Sequence, residues 1–124
     1  MQRRGSERRR FVRVHDNLVA SVEPTGLGSA DGHTLNFSVG GVLLLLESFI
    51  EPGTELRVVL QLDEDDEQMA FQARVVRCRT QSDHAHEIAA EFVGGSIGDH
   101  RRLQDEISRR VGRESVPPVP PMTA

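Results

Sequence analysis

Residues 56–75 read LRVVLQLDEDDEQMAFQARV, and this stretch decides the fold class. Leu56, Val58, Leu60 and Leu62 alternate with residues of mostly polar character, which is the period of a strand with one face buried. Five consecutive acids follow, Asp63 to Glu67, and such a run has to be solvated. The alternation then resumes in Met69, Phe71, Ala73 and Val75. Two half-buried strands joined by a solvated loop form an antiparallel hairpin.

The same period extends outward from this hairpin. Downstream, the apolar phase slips to Val76 and Cys78, which predicts a bulge. Ile88, Ala90 and Phe92 form the last strand. Upstream, Val42 to Leu46 is apolar at every position, so this strand is expected to be covered on both faces. Leu35, Phe37 and Val39 point one way and Asn36 and Ser38 the other, placing the two polar side chains outside the core. The even positions Val12, Val14, Asp16, Leu18, Ala20 and Val22 read as one half-buried strand interrupted only by Asp16. For Asp16 three roles stay open: facing a ligand, pairing with an arginine, or sitting at a bulge. After Gly94-Gly95 the period changes. Leu103, Ile107 and Val111 recur every four residues as the apolar stripe of a helix. Ser96 or Asp99 can cap its start and Gly112 can end it.

The fold class is therefore mainly β: a six-stranded antiparallel β-barrel with a C-terminal α-helix. One domain is expected, over residues 11–113, with a basic arm at 1–10 and a Pro-rich disordered tail at 114–124. The chain has 124 residues, five Phe, and neither Tyr nor Trp, so its core is built mainly from Val, Leu and Ile.

Charge is unevenly distributed. Residues 1–15 hold six Arg and one Glu, a net of +5, and the rest holds nine Arg against eighteen acids, a net of −9. A basic arm on an acidic body fits a local anion site better than a general nucleic-acid surface. A single cysteine permits no internal disulfide and fits a reducing, cytoplasmic setting. The longest apolar run is too short to insert into a membrane. His84 and His86 read as surface histidines, because no third ligand accompanies them. Nucleophile elbow, Walker loop and metal cluster are all missing from the sequence, so binding without catalysis is the reading.

Two clusters carry that binding. Arg8, Arg9 and Arg13 have the spacing R-R-x-x-x-R, and Asn36, Ser38 and Gly41 the spacing N-x-S-x-x-G. Arginine is permanently charged, and its fork of donors suits phosphate oxygens and the O6/N7 edge of guanine. Asn36 and Ser38 add neutral polar groups. Together they point to an anionic guanine nucleotide.

The two motifs, in this order, resemble those of the PilZ family, whose members bind cyclic di-GMP. The layout of residues 6 to 112, short strands followed by one helix, is similar as well. The resemblance implies ligand contacts from Arg9 and Arg13 to guanine edges and phosphates, from Asn36 to a guanine edge, and from Ser38 to a phosphate or base. Gly41 would allow close backbone approach. Arg77, in Val75-Val76-Arg77, matches a V-x-R that many members carry. An arginine placed as Arg8 is often accompanied by two stacked ligand molecules. The function implied is a cyclic di-GMP receptor that signals to a protein partner through a ligand-induced surface change. The alternative is a PilZ-like adaptor in motility or pilus assembly that does not bind nucleotide.

Overall fold

The computed structural model describes residues 12–24, 28–62 and 67–115. Arg8, Arg9, the rest of the basic arm and the Pro-rich tail from 116 lie outside the described residues. Six strands precede one helix: β1 Val19–Pro24, β2 Ala30–Ser38, β3 Gly41–Leu46, β4 Glu55–Leu62, β5 Glu67–Ser82, β6 Ala85–Gly95 and α1 Ile97–Ser115. They close a barrel in the order β1-β2-β3-β6-β5-β4, every neighbouring pair antiparallel, with β4 returning to β1. The mainly β, six-stranded antiparallel architecture with its C-terminal helix is thus observed.

Register turns the alternation into one interior. Val58 lies between Val22 and Phe71, and Leu60 between Ala20 and Met69; all six side chains are buried. Val42 and Leu44 meet Ala90 and Ile88 in the same way. The slip after Val75 is a bulge: the β5–β6 register shifts between Val75 and Arg77, Val76 turns outward, and Cys78 packs half-buried against the core.

Four expectations about the barrel are corrected. The segment 12–22 is not one strand. Val14 forms an isolated bridge with Phe37, β1 begins only at Val19, and Val12 is 57% exposed. Second, β2 carries its own bulge between Thr34 and Asn36. Thr34 and Phe37 both point inward, so Leu35 and Phe37 do not share a face, and Ser38 is buried rather than outside the core. Third, Leu43 and Leu45 on the outer face of β3 are only half-buried among the described residues. Fourth, His86 is buried, with Nδ1 2.9 Å from Thr80 Oγ1, while His84 stays exposed.

The bulge in β2 has a partner. The Thr34 hydroxyl donates to Asp16 O (2.7 Å) and accepts from Leu18 N (2.8 Å), and Thr34 N donates to Leu18 O (2.9 Å). Asn17 Nδ2 donates to Thr34 O at 2.6 Å. The irregular segment 16–18 thus satisfies its backbone through one buried threonine instead of a continuous ladder.

The helix docks where β5 begins. Ser96 Oγ accepts from Asp99 N (3.0 Å), so Ser96 takes the capping role. This frees Asp99 Oδ2 to accept from Ala70 N at 3.0 Å, and Arg102 Nη2 donates to Gln68 O at 3.1 Å. Leu103 and Ile107 enter the core. Gly112 does not end the helix, which runs on to Ser115; the positive-φ glycines of the described residues are Gly53 and Gly95.

Glu106 is buried on the same side of α1, bonded by Arg109 and by Arg110 Nε (2.5 Å). Burial pushes its carboxyl up, but the two arginine hydrogen bonds and charges outweigh this and hold it below its ordinary value. Its contribution to stability is therefore complete above the ordinary value of 4.5 and is lost as pH falls below that. Glu106→Gln is expected to flatten the loss of melting temperature between pH 5 and pH 3, read by thermal melts at several pH values. Thr34→Val leaves Leu18 N and Asp16 O without their partner and is expected to cost about 1–3 kcal/mol in denaturant unfolding.

Candidate nucleotide-binding site

Backbone pairing brings the two motifs together. Val14 N donates to Phe37 O (2.8 Å) and Phe37 N to Val14 O (3.0 Å). The residues beside each partner, Arg13 and Asn36, then meet: Arg13 Nη1 donates to Asn36 Oδ1 at 2.6 Å. The bond orients both side chains and leaves most of the guanidinium donors and the Asn36 amide for other partners.

Arg77 stands on the same surface. Asn36 is opposite Leu43 on β3, Leu43 opposite Ala89 on β6, and Ala89 opposite Arg77 on β5. This row crosses four strands, about 14 Å at the usual strand spacing. Leu43 and Ala89 lie on the outer face, since their neighbours Val42, Leu44, Ile88 and Ala90 fill the core. They form a low apolar floor between Asn36 and Arg77. Arg79 follows one step along β5, opposite Glu87.

The electrostatics of this face are unusual. Five described arginines have a carboxylate: Arg57 with Glu23, Arg74 with Glu55 and Glu91, Arg102 with Glu67 and Asp99, Arg109 with Glu106, and Arg110 with Asp16 and Glu106. Arg13, Arg77, Arg79 and Arg101 form no ion pair among the described residues. Desolvation, and secondly the positive charge of Arg77, lower the Arg13 pKa from its ordinary value. Exposed cations on one face without carboxylate partners favour an anion.

Ser38 and Gly41 lie in the adjacent turn. Ser38 is buried, and its Oγ accepts from Gly40 N at 3.1 Å, closing the turn between β2 and β3. A Cβ on Gly41 would lie 2.5 Å from Ala90 O and 3.3 Å from Glu91 Cα. The close approach at Gly41 is therefore that of strand β6. The motif N-x-S-x-x-G thus divides its labour here: Asn36 faces Arg13, and Ser38 and Gly41 shape the turn that holds it. Arg8 and Arg9 lie outside the described residues.

The chain matches the family model "PilZ domain" over residues 7–109. The chain belongs to the PilZ family. Solved structures agree in fold. The inhibitor of motility MotI/DgrA of Bacillus subtilis superposes with a TM-score of 0.73 at 22% identity, over 93% of this chain and 54% of that one. YcgR of Escherichia coli in complex with c-di-GMP gives 0.70 at 18% identity, over 87% of this chain and 47% of that one. The PilZ domain of YcgR with c-di-GMP gives 0.66 at 18%, over 90% of this chain and 99% of that one. The chain thus spans about half the length of the first two proteins and nearly all of the isolated domain. A search of curated proteins returned no match.

Sequence reasoning missed Arg79, Glu106 and Arg110. For the last two a signal existed: they share one side of α1 with Leu103 and Ile107, so a buried stripe carries charges that need partners. Gly41→Ala is expected to lower stability of the ligand-free protein by about 1–3 kcal/mol, as overpacking does. Thermal melts without ligand check this; a normal melt with lost ligand binding would place the glycine's role at the ligand instead.

Proposed function

We propose that this protein is a non-enzymatic cyclic di-GMP receptor whose site is the face bearing Arg13, Asn36 and Arg77. The observation that carries the reading is the Arg13–Asn36 hydrogen bond on a face that also bears Arg77, neither arginine having a carboxylate among the described residues. A ligand with two phosphates neutralises them. Guanine presents N7 and O6 to an arginine fork, and its face can rest on Leu43 and Ala89 or stack on a guanidinium. Asn36 hydrogen-bonds a base edge. Arg8 and Arg9, five and four residues before Arg13, bring further cations, enough for a second, stacked ligand molecule. Two c-di-GMP complexes among the similar folds support the choice of ligand.

The basic arm gives the signal its form. Its arginines repel one another when no anion is present, and ligand draws them onto the barrel. The surface that results is read by a protein partner. No helix among the described residues is long and apolar enough to cross a membrane. A cytoplasmic site of action fits both the ligand and the single cysteine.

Isothermal titration is expected to give micromolar or tighter binding of cyclic di-GMP, roughly −8 kcal/mol, and far weaker binding of GTP and cyclic di-AMP. Arg13→Ala and Arg77→Ala should each lose on the order of 2–3 kcal/mol of binding. Without ligand, Arg77→Ala should melt close to the parent, because the side chain is exposed and forms no ion pair among the described residues. No heat with cyclic di-GMP would sink the receptor reading and favour the adaptor; equal affinity for all three nucleotides would sink the guanine-specific site.

A further inference from the structure

Arg110 lies outside both motifs, yet it contacts the two segments that carry them. Its Nη1 donates to Asp16 Oδ2 at 2.7 Å, across 94 positions of sequence and three residues beyond Arg13. Its guanidinium carbon is 6.0 Å from the ring centroid of Phe37, the residue between Asn36 and Ser38. Its Nε donates to Glu106 Oε2 at 2.5 Å, which fixes the plane of the guanidinium. The residue is 6% exposed, where a helix arginine ordinarily ends in water.

Other contacts already hold the helix to the barrel. Asp99 bonds Ala70 N, Arg102 bonds Gln68 O, and Leu103 and Ile107 enter the core. The 16–18 backbone is held by Thr34. What Arg110 adds is a side-chain connection from α1 to the segment that presents Arg13 and to the strand that presents Asn36. The Arg13–Asn36 bond needs both at once.

We propose that Arg110 is a positioning residue of the nucleotide site, clamping the two motif segments through Asp16 and Phe37, so that ligand binding and docking of α1 are coupled. The proposal rests on the receptor reading above. Coupling of this kind is reciprocal. Ligand that favours the assembled pair of segments tightens the helix, and whatever loosens the C-terminal half of α1 weakens ligand binding by the same factor. A helix that reports the state of the site gives the receptor a second surface to change, on the exposed side of Gln104, Asp105 and Ser108.

Asp16→Asn is the sharpest variant. It removes one charge from a side chain 36% exposed and leaves Arg110 with Glu106 and Phe37. Asp16→Asn and Arg110→Lys are each expected to weaken cyclic di-GMP binding roughly tenfold, within the usual range of coupling between sites. The double variant should bind no worse than the weaker single one, since both break the same link. In ligand-free protein, the Val14 amide of Asp16→Asn should exchange with solvent faster than that of the parent, because the clamp no longer steadies its bond to Phe37. Parent-like affinity of Asp16→Asn, multiplied losses in the double variant, or unchanged Val14 exchange would overturn the clamp. If Arg110→Lys does not fold, Asp16→Asn alone decides. If the parent protein binds no cyclic di-GMP, the receptor reading fails by itself, and the exchange comparison still decides whether Arg110 holds the segment.

Discussion

Two backbone hydrogen bonds between Val14 and Phe37 set Arg13 beside Asn36. They exist because β2 bulges between Thr34 and Asn36, which turns Phe37 inward one residue out of phase with Thr34. Without the extra residue, Asn36 would fall on the inner side of the strand and Arg13 would have no partner on the outer face. The bulge leaves segment 16–18 short of ladder bonds, and the buried Thr34 hydroxyl supplies them. A local irregularity, satisfied by one side chain, thus sets the geometry of the whole candidate site.

The acidic body makes this placement matter. Most arginines on the barrel and helix stand beside carboxylates, so their fields are short-ranged and solvent-screened. Arg13 and Arg77 have no carboxylate partner among the described residues, and Arg13 bonds Asn36 instead. The packing beneath this face is firm: Val14, Phe37, Val42 and Ile88 are all buried.

Strand positions were legible wherever one face of a strand met the core in unbroken register. Residues 56–62 and 69–75 show this, since Leu56, Val58 and Leu60 oppose Ala73, Phe71 and Met69. Legibility failed where the phase depends on the partner strand. The outward Val12, the inward Ser38 and the bulge at Leu35 follow from pairing with β1, β3 and the 14–18 segment, which the sequence of β2 alone does not contain. Pairing of Val14 with Phe37 sets Arg13 beside Asn36, a contact the motif spacings alone do not contain, and Gly41 packs closely against Ala90 O. The three roles left open for Asp16 resolve to pairing with an arginine, but one 94 positions away. No local pattern encodes that distance.

The long-range pair also bears on how a site on the outside of a closed barrel can signal. A barrel has no hinge between layers, and its core is too well packed to deform smoothly. Change has to occur in what is attached to it: the segment before β1 and the helix after β6. Those two attachments are joined by Asp16 and Arg110, and Phe37 lies against the same guanidinium. The barrel then acts as the fixed frame against which the two termini are set. On the proposed reading, a bound anion and the docked helix would favour the same arrangement of the two segments. Such a design needs no internal motion of the sheet, only a change in how firmly its two ends are held.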